Sequence, residues 1–312
     1  MYGAVFLLIE RVIPIMISKT AMITIAGRPN VGKSTLTNKL TGDKVAIVTP
    51  KPQTTRNRIY GVFTHGDTQM ILLDTPGFHK AKTRLGDYMV GVVKESVADV
   101  DAVALIVEPI DNIGMQEDLL INHIEESGVP AILIINKIDT VRVDLTLPVI
   151  ERYSKRYKFD AIVPISAKNG DGLTQLLEVF QGYAKEGPQL FPDDMTTDQP
   201  EKQIIAEIIR EKLLIYLDKE IPHGIAVEIT KFSERDDDDE VIDVDATIYC
   251  EKQSHKGMII GKNGAMLKKV GQMAREDIER FMGVKVFLQT WVKVKENWRD
   301  SRTMMKNFGY VK

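Results

Sequence analysis

The stretch GRPNVGKST, residues 27–35, follows the apolar run 22–26 and fits the spacing GxxxxGK[ST]. In this pattern a strand ends, the backbone turns sharply, and successive N–H groups point at an anion before a helix begins. The pattern therefore predicts a loop that binds the phosphates of a nucleoside triphosphate. The residues that we expect around the phosphates are Gly27, Arg28, Pro29, Asn30, Val31, Gly32, Lys33, Ser34 and Thr35.

Length and composition indicate an ordinary globular protein with two domains. The chain has 312 residues, of which 44% are hydrophobic and 27% charged, and it is too long for one small core. Its one cysteine, Cys250, excludes a disulfide framework. Because Cys250 ends an apolar alternation, we expect it to be a small buried residue and not a nucleophile.

The N-terminal segment AVFLLIERVIPIM, residues 4–16, is strongly apolar. It is too short to span a bilayer, is interrupted by Glu10, Arg11 and Pro14, and lacks the basic start and cleavage site of a signal peptide. We therefore expect residues 1–20 to form an extension outside the fold. A translation start at Met16 would explain such an extension.

Short apolar runs alternate with longer amphipathic stretches from residue 22 to about residue 185. Runs such as 102–108 and 131–136 are nearly continuous in apolar residues, as in strands that are buried on both faces. The pattern predicts a doubly wound α/β domain over residues 21–185, with an additional antiparallel edge strand at 59–64. Residues 186–200 contain three prolines and no periodicity, which predicts a linker.

Three further motifs each follow a predicted strand and point to guanine: DTPG at 74–77, NKID at 136–139 and SAK at 166–168. Asp74 can hold Mg²⁺ through water, and Gly77 allows the backbone to approach a γ-phosphate. Asp139 can accept hydrogen bonds from N1–H and the exocyclic amine of guanine, whereas adenine offers no such pair of donors. These motifs add the following predicted site residues: Asp74, Thr75, Pro76, Gly77, Asn136, Lys137, Asp139, Ser166, Ala167 and Lys168.

In this order the motifs resemble the Ras-like GTPases of the translation-factor class. The resemblance implies that Lys33 binds phosphates and that Ser34 is a direct Mg²⁺ ligand. It also implies that TPKPQTTRNRI, residues 49–59, is the segment called switch I. Within switch I we expect Thr55 to be the second protein ligand of Mg²⁺, with Thr54 as the alternative.

Two positions bear on the rate of hydrolysis. Phe78 stands where Ras-like enzymes carry a glutamine that orients the attacking water, and a phenylalanine cannot make that hydrogen bond. We therefore assign no catalytic base and expect slow intrinsic hydrolysis. Asn30 either holds K⁺ near the phosphates, as in related GTPases, or only shapes the loop.

After the linker the pattern changes to helix, strand, strand, helix, GxxG loop, helix and strand over residues 201–312. This order matches an α+β KH domain of type II, whose GxxG loop brings bare backbone against about four nucleotides of single-stranded RNA. From residue 251 onward 14 lysines and arginines face 6 acidic residues, a net charge of +8, which favours an anionic partner. The predicted RNA-binding residues are Lys256, Gly261, Lys262, Asn263, Gly264, Lys268, Lys269 and Arg275.

A GTPase domain joined to a C-terminal KH domain closely resembles the Era family, bacterial GTPases of small ribosomal subunit assembly. The resemblance runs from about residue 21 to the end and includes VKVKENWRD at 292–300. It implies the 3′ end of 16S ribosomal RNA and the 30S subunit as partners, a cytoplasmic location and a peripheral membrane contact; we expect a monomer. Two alternatives stay open: a GTPase of membrane or tRNA-modification chemistry, and an RNA-binding scaffold with a structural nucleotide.

Overall fold

The structure is a computed structural model that describes residues 17–77, 83–97, 99–217, 224–235 and 238–310, with side chains omitted for 238–240. Residues 1–16 of the predicted extension lie outside the described residues. Phe78 also lies outside them, so its predicted effect on hydrolysis stays a prediction.

The first half of the described chain folds into a seven-stranded sheet covered by helices on both faces. Its elements are β1 (Lys19–Gly27), α1 (Lys33–Thr41), β2 (Ile59–His65), β3 (Thr68–Asp74), α2 (Arg84–Glu95), β4 (Ala102–Val107), α3 (Met115–Ser127), β5 (Ala131–Ile135), α4 (Thr146–Arg156), β6 (Ala161–Pro164), α5 (Leu173–Gln181) and β7 (Lys185–Glu186). The spatial order is β2, β3, β1, β4, β5, β6; only β2 on this path runs antiparallel, and β7 pairs with β1. The predicted doubly wound fold and its edge strand are confirmed.

Apolar side chains on both faces explain why the central strands read as continuous runs. In β4, Ala104 and Ile106 pack on one face with Phe180 of α5, while Leu105 packs on the other with Tyr153 of α4. Because both faces are covered, polar loops are confined to the ends of the strands. The carboxyl ends of the parallel strands therefore share one edge, where a ligand site forms.

The second half of the described chain has the predicted element order of a type II KH domain. Its elements are α6 (Glu201–Tyr216), β8 (Ala226–Arg235), β9 (Asp238–Cys250), α7 (Gln253–Ile260), α8 (Ala265–Met282), β10 (Lys285–Val294) and α9 (Arg302–Asn307). The sheet order is β10, β9, β8, with β8 antiparallel and β10 parallel to β9. Cys250 is fully buried in this core, as expected. No helix in the described ranges is both long and apolar enough to cross a bilayer.

The predicted linker lies along the edge of the first sheet. Gln69 of β3 donates to the carbonyl of Phe191 at 2.8 Å and accepts from the Leu190 amide at 2.9 Å. Further along, the Val62 amide donates to the carbonyl of Thr196 at 2.8 Å. The linker is therefore hydrogen-bonded to the GTPase-like half along much of its length.

The first strand begins at Lys19, two residues before the predicted domain boundary.

An arginine of switch I joins the two halves. Arg56 is buried and donates from Nη1 to the carbonyl of Ile225 at 2.7 Å and to the hydroxyl of Tyr310 at 3.1 Å. Its guanidinium lies 5.6 Å from the ring centre of Trp298 and 5.5 Å from that of Tyr310. The rings belong to an apolar cluster that also contains Leu85 and Met89 of α2. Both switch I and α2 thus pack against the C-terminal segment.

We predict that Trp298→Ala lowers the free energy of unfolding by about 3–5 kcal/mol, the usual cost of truncating a buried tryptophan. Trp298 is fully buried, and its Nε1 donates to the carbonyl of Gly224 at 2.9 Å. Urea denaturation followed by circular dichroism measures the change. Trp291, the other tryptophan of the chain, is 45% exposed and serves as the control. Equal losses for Trp298→Ala and Trp291→Ala would contradict this account of the interface.

Candidate functional site

The phosphate-binding loop packs closely against the two motifs predicted to act with it. Gly32 has φ 105°, and a Cβ built there would lie 2.2 Å from Nδ2 of Asn136. A Cβ on Gly77 would lie 2.7–2.8 Å from atoms of Pro29. Glycine is required at both positions, since a side chain would push the loops apart. The loop, the DTPG turn and the NKID motif therefore form one tightly packed edge of the sheet.

Lys33 is buried inside this loop and points at its backbone. Its Nζ donates to the carbonyls of Gly27 at 3.2 Å and Arg28 at 2.9 Å. Burial lowers the pKa of Lys33 to about 8, although the charge of Asp74 acts in the opposite direction. A bound phosphate would supply the anion that a buried ammonium group needs.

Three oxygen-bearing side chains meet beside Lys33. Ser34 donates to Oδ2 of Asp74 at 2.6 Å, and its Oγ lies 2.9 Å from Oγ1 of Thr55. Burial raises the pKa of Asp74 to about 6, although Lys33 and Ser34 favour its ionised form. Oδ1 of Asp74 is buried and has no hydrogen-bond partner among the described residues. This donor set fits Mg²⁺, a hard cation that prefers oxygen ligands.

Thr54, the alternative ligand, points elsewhere. Its Oγ1 lies 2.7 Å from Oγ1 of Thr49 and donates to the carbonyl of Lys51 at 2.6 Å. These bonds hold the turn of switch I together. Geometry therefore favours Thr55 over Thr54 as the metal ligand.

Asn136 connects the loops predicted to recognise the base. Its Nδ2 donates to the carbonyl of Val31 at 2.8 Å, and its Oδ1 accepts from the Ala167 amide at 2.9 Å. Asp139 is exposed, and its Oδ1 accepts from the hydroxyl of Ser166 at 2.7 Å. The phosphate loop and both base-recognition motifs thus share one hydrogen-bond network, in which the Asp139 carboxylate is oriented by Ser166.

A cavity of about 360 Å³ lies between the phosphate loop and switch I. The predicted residues that line it are Pro29, Asn30, Gly32, Lys33, Ser34, Thr35, Thr55, Gly77 and Lys137. Thr75 instead donates from its buried hydroxyl to the carbonyl of Ile25 at 2.8 Å, which is a structural contact. Lys168 is exposed beyond the cavity.

Sequence reasoning missed two carboxylates that hold this edge together. Glu108 pairs with Lys137 at 2.7 Å and with Arg28 at 3.6 Å, and the nearly fully buried Glu117 also pairs with Arg28. Glu108 directly follows β4, so its position at the ligand edge was readable from the sequence. Glu117 lies in α3 and gave no such signal.

The GxxG loop separates α7 from α8, and both of its glycines have positive φ. Gly261 and Gly264 have φ 73° and 77°, and a Cβ on Gly261 would lie 2.7 Å from Cβ of Met266. Asn263 between them also has a positive φ of 51°. Lys262 and Asn263 are exposed at the tip. The loop thus presents backbone and two polar side chains to solvent.

A groove of about 520 Å³ runs from this loop between α8 and β10. Gly264, Lys268 and Arg275 line it together with the apolar Leu288. Lys269 lies elsewhere, with Nζ 4.1 Å from the ring centre of Tyr216 on α6. Lys256, on α7, is not among the groove-lining residues either. The groove therefore combines cations and an apolar floor, as single-stranded RNA requires.

Comparison with known proteins agrees with the fold of both halves. The model of the family described as 50S ribosome-binding GTPase matches residues 22–137, and that of the KH domain matches residues 220–299. GTPase Era of Ruminiclostridium cellulolyticum is 52% identical over 292 residues, which are 94% of this chain and 97% of that protein. The chain belongs to the Era family of GTPases. GTPase Era of Clostridioides difficile strain 630 is 50% identical over 94% of this chain and 98% of its own length.

Two solved Era structures have the same architecture. Era in complex with MgGDPNP and nucleotides 1506–1542 of 16S ribosomal RNA is 37% identical, with a TM-score of 0.91 over 95% of this chain and 100% of that one. An Aquifex aeolicus Era variant bound to GDP and AlF₄⁻ is also 37% identical, with a TM-score of 0.90 over 94% of this chain and 100% of that one. As a member of the Era family, the protein hydrolyses GTP.

We predict that Asp139→Asn weakens GDP binding about 100-fold or more. The substitution removes the charge from the two hydrogen bonds that we predict between Asp139 and guanine, each worth about 1.5–3 kcal/mol. Titration with a fluorescent guanine nucleotide measures the affinity. Asp144→Asn, which alters an exposed aspartate that pairs with Arg142, is the control. Undiminished GDP affinity in Asp139→Asn would refute the assignment.

Proposed function

We propose that this protein is a GTP-operated switch that binds the single-stranded 3′ end of 16S ribosomal RNA on the 30S subunit during small-subunit assembly. One observation carries the proposal: switch I contributes Thr55 to the nucleotide side and Arg56, the next residue, to the KH side. Because Thr55 and Arg56 are adjacent, a movement of switch I at the nucleotide also moves a residue that contacts the KH half. The Era structure with MgGDPNP and 16S nucleotides 1506–1542 supports the choice of both ligands.

The proposed nucleotide site uses the residues described above. The loop amides and Lys33 hold the phosphates, the Gly77 backbone meets the γ-phosphate, and Asp139 reads guanine. Ser34 and Thr55 would hold Mg²⁺ directly and Asp74 through water; the ion neutralises charge on the phosphates. Loss of the γ-phosphate removes the group that these residues share, and switch I is then free to rearrange.

The proposed domains are a GTPase domain over 21–185, a linker over 186–200 and a KH domain over 201–312. In the KH domain, Lys262 and Asn263 contact phosphates at the loop tip, and Lys268 and Arg275 contact them along the groove. The protein acts in the cytoplasm in this proposal, where its ribosomal partner is found. A peripheral contact with anionic lipid is the secondary use of the basic KH surface, and flotation with anionic vesicles tests it.

The coupling predicts that a 3′-terminal 16S RNA strand binds more tightly with a non-hydrolysable GTP analogue than with GDP. We expect Lys262→Asp/Asn263→Asp to reduce RNA affinity at least about tenfold, because it places negative charge against phosphates. Fluorescence anisotropy measures both effects. The control, Lys158→Asp/Ser154→Asp, makes the same change in charge on exposed positions of the GTPase domain. If RNA affinity is the same with GDP and with the GTP analogue, and the same in the wild type and the GxxG variant, the proposed switch is refuted.

We also propose that Asn30 takes part in K⁺ binding near the phosphates. Its φ of 66° and the 2.7 Å hydrogen bond from Nδ2 to the Pro50 carbonyl place it between the phosphate loop and switch I. We expect faster hydrolysis in K⁺ than in Na⁺ at equal ionic strength, and loss of this difference in Asn30→Ala. Phosphate release measures the rates. Equal rates in the two salts would leave Asn30 with a role in loop shape only.

A further inference from the structure

Helix α6 of the KH half contacts switch I and the segment just before it. Oε1 of Glu211 accepts from the Val48 amide at 3.0 Å, and Oε2 accepts from Nζ of Lys44 at 2.5 Å. One residue earlier in α6, Nη2 of Arg210 donates to the carbonyl of Thr54. Helix α6 therefore holds residues 48–54, most of which line the phosphate cavity, at both ends of that segment.

Arg210 is fully buried and charged. Its guanidinium pairs with Glu207, one turn earlier, with Nε donating to Oε1 at 2.8 Å. Burial alone lowers the pKa of Arg210, but Glu207 more than offsets this, so the pKa lies above its ordinary value. A buried ion pair contributes little net stability, since desolvation costs about as much as the attraction returns. The hydrogen bond to the Thr54 carbonyl indicates that the buried Arg210 orients switch I.

The peptide that Arg210 holds carries the metal-side threonine. Thr54 is fixed at its carbonyl by Arg210 and at its hydroxyl by Thr49 and Lys51. On the other side of Thr55, Arg56 is fixed by Ile225 and Tyr310. Thr55 thus lies between two residues that the KH half holds, with its Oγ1 2.9 Å from Oγ of Ser34.

We infer that Arg210 is a positioning residue for GTP hydrolysis: from the KH domain it fixes the Thr54 carbonyl and thereby holds the Thr55 hydroxyl beside Ser34 and Asp74. The inference rests on the proposed nucleotide site and adds that this site is complete only when the KH domain is docked. Arg210 acts through Thr55 and contacts no nucleotide itself. A misplacement of about 1 Å at such a group can cost about 100-fold in rate.

Arg210→Met tests the inference, because methionine keeps most of the packing volume and removes the donor. We expect the Mg²⁺ concentration that half-saturates GTPase activity to rise at least about tenfold, with guanine nucleotide affinity in excess chelator unchanged. Hydrogen exchange with GTP analogue and Mg²⁺ bound should show faster exchange at residues 53–57 than in the wild type. The last readout reports the conformation of switch I and does not depend on turnover.

Two further variants make the test specific. Arg210→Lys keeps a cation that can reach the Thr54 carbonyl but not form the fork with Glu207, so we expect partial recovery. Arg302→Ala removes an exposed arginine of α9 and should behave as the wild type. If folded Arg210→Met shows wild-type Mg²⁺ dependence and exchange, the inference is overturned.

Loss of folding in Arg210→Met does not end the test. Glu207→Gln leaves the arginine in place and weakens its orientation, so we expect a smaller change in the same direction in Mg²⁺ dependence and in exchange at 53–57. No change in a folded Glu207→Gln would then overturn the inference. Nucleotide-independent RNA binding by the wild type would instead count against the proposed switch, while the Arg210 measurements would still decide the positioning role.

Discussion

The buried guanidinium of Arg56 is the interaction on which the arrangement of the two halves depends. A charge taken out of water needs compensation, and here a carbonyl, a phenol and two aromatic faces supply it. All of these groups belong to the KH half, whereas Arg56 itself belongs to switch I. Moving the halves apart would break these contacts and expose the aromatic cluster to water. The docking surface and the nucleotide-sensing segment are therefore one element of the structure.

A second set of charges lies beside this contact and links three elements. Lys44 and Lys212 both reach Oδ2 of Asp277 on α8, at 2.7 and 2.5 Å, and both also reach Glu211. Burial acts to raise the pKa of Asp277, but the two lysines hold it down at about 2. The exposed Arg280 also pairs with Asp277, at 3.0 Å. Attraction among these charges, which are partly screened from water, favours one register of α6, α8 and the chain before switch I. Helix α8 begins directly after the GxxG loop and lines the RNA groove. Through Asp277 the same helix also contacts Lys44, which precedes switch I.

Much of the fold and of the nucleotide site was predictable because the governing constraints are local. Gly32 and Gly77 are required because a side chain would not fit at either position, and apolar runs buried on both faces predict the central strands. The choice of Thr55 over Thr54 needed the structure, since adjacent threonines have the same chemistry and differ only in where they point. Arg56, Arg210 and Glu211 were missed because contacts between distant segments leave no periodic signal. Lys269 shows the same limit: its place beside the GxxG loop suggested RNA, but its side chain lies over Tyr216.

The linker changes how the KH domain can move. Its hydrogen bonds to β2 and β3 continue to Asp198, whose carboxylate accepts from the Tyr60 amide at 3.3 Å, and α6 begins only three residues later. The KH domain is therefore attached to a fixed point on the GTPase sheet by only two intervening residues, 199 and 200. Rearrangement then takes the form of rotation about the start of α6, and diffusion of the two domains away from each other is excluded while the linker stays in place. A domain that has undocked remains at high effective concentration, so redocking does not depend on how much protein is present.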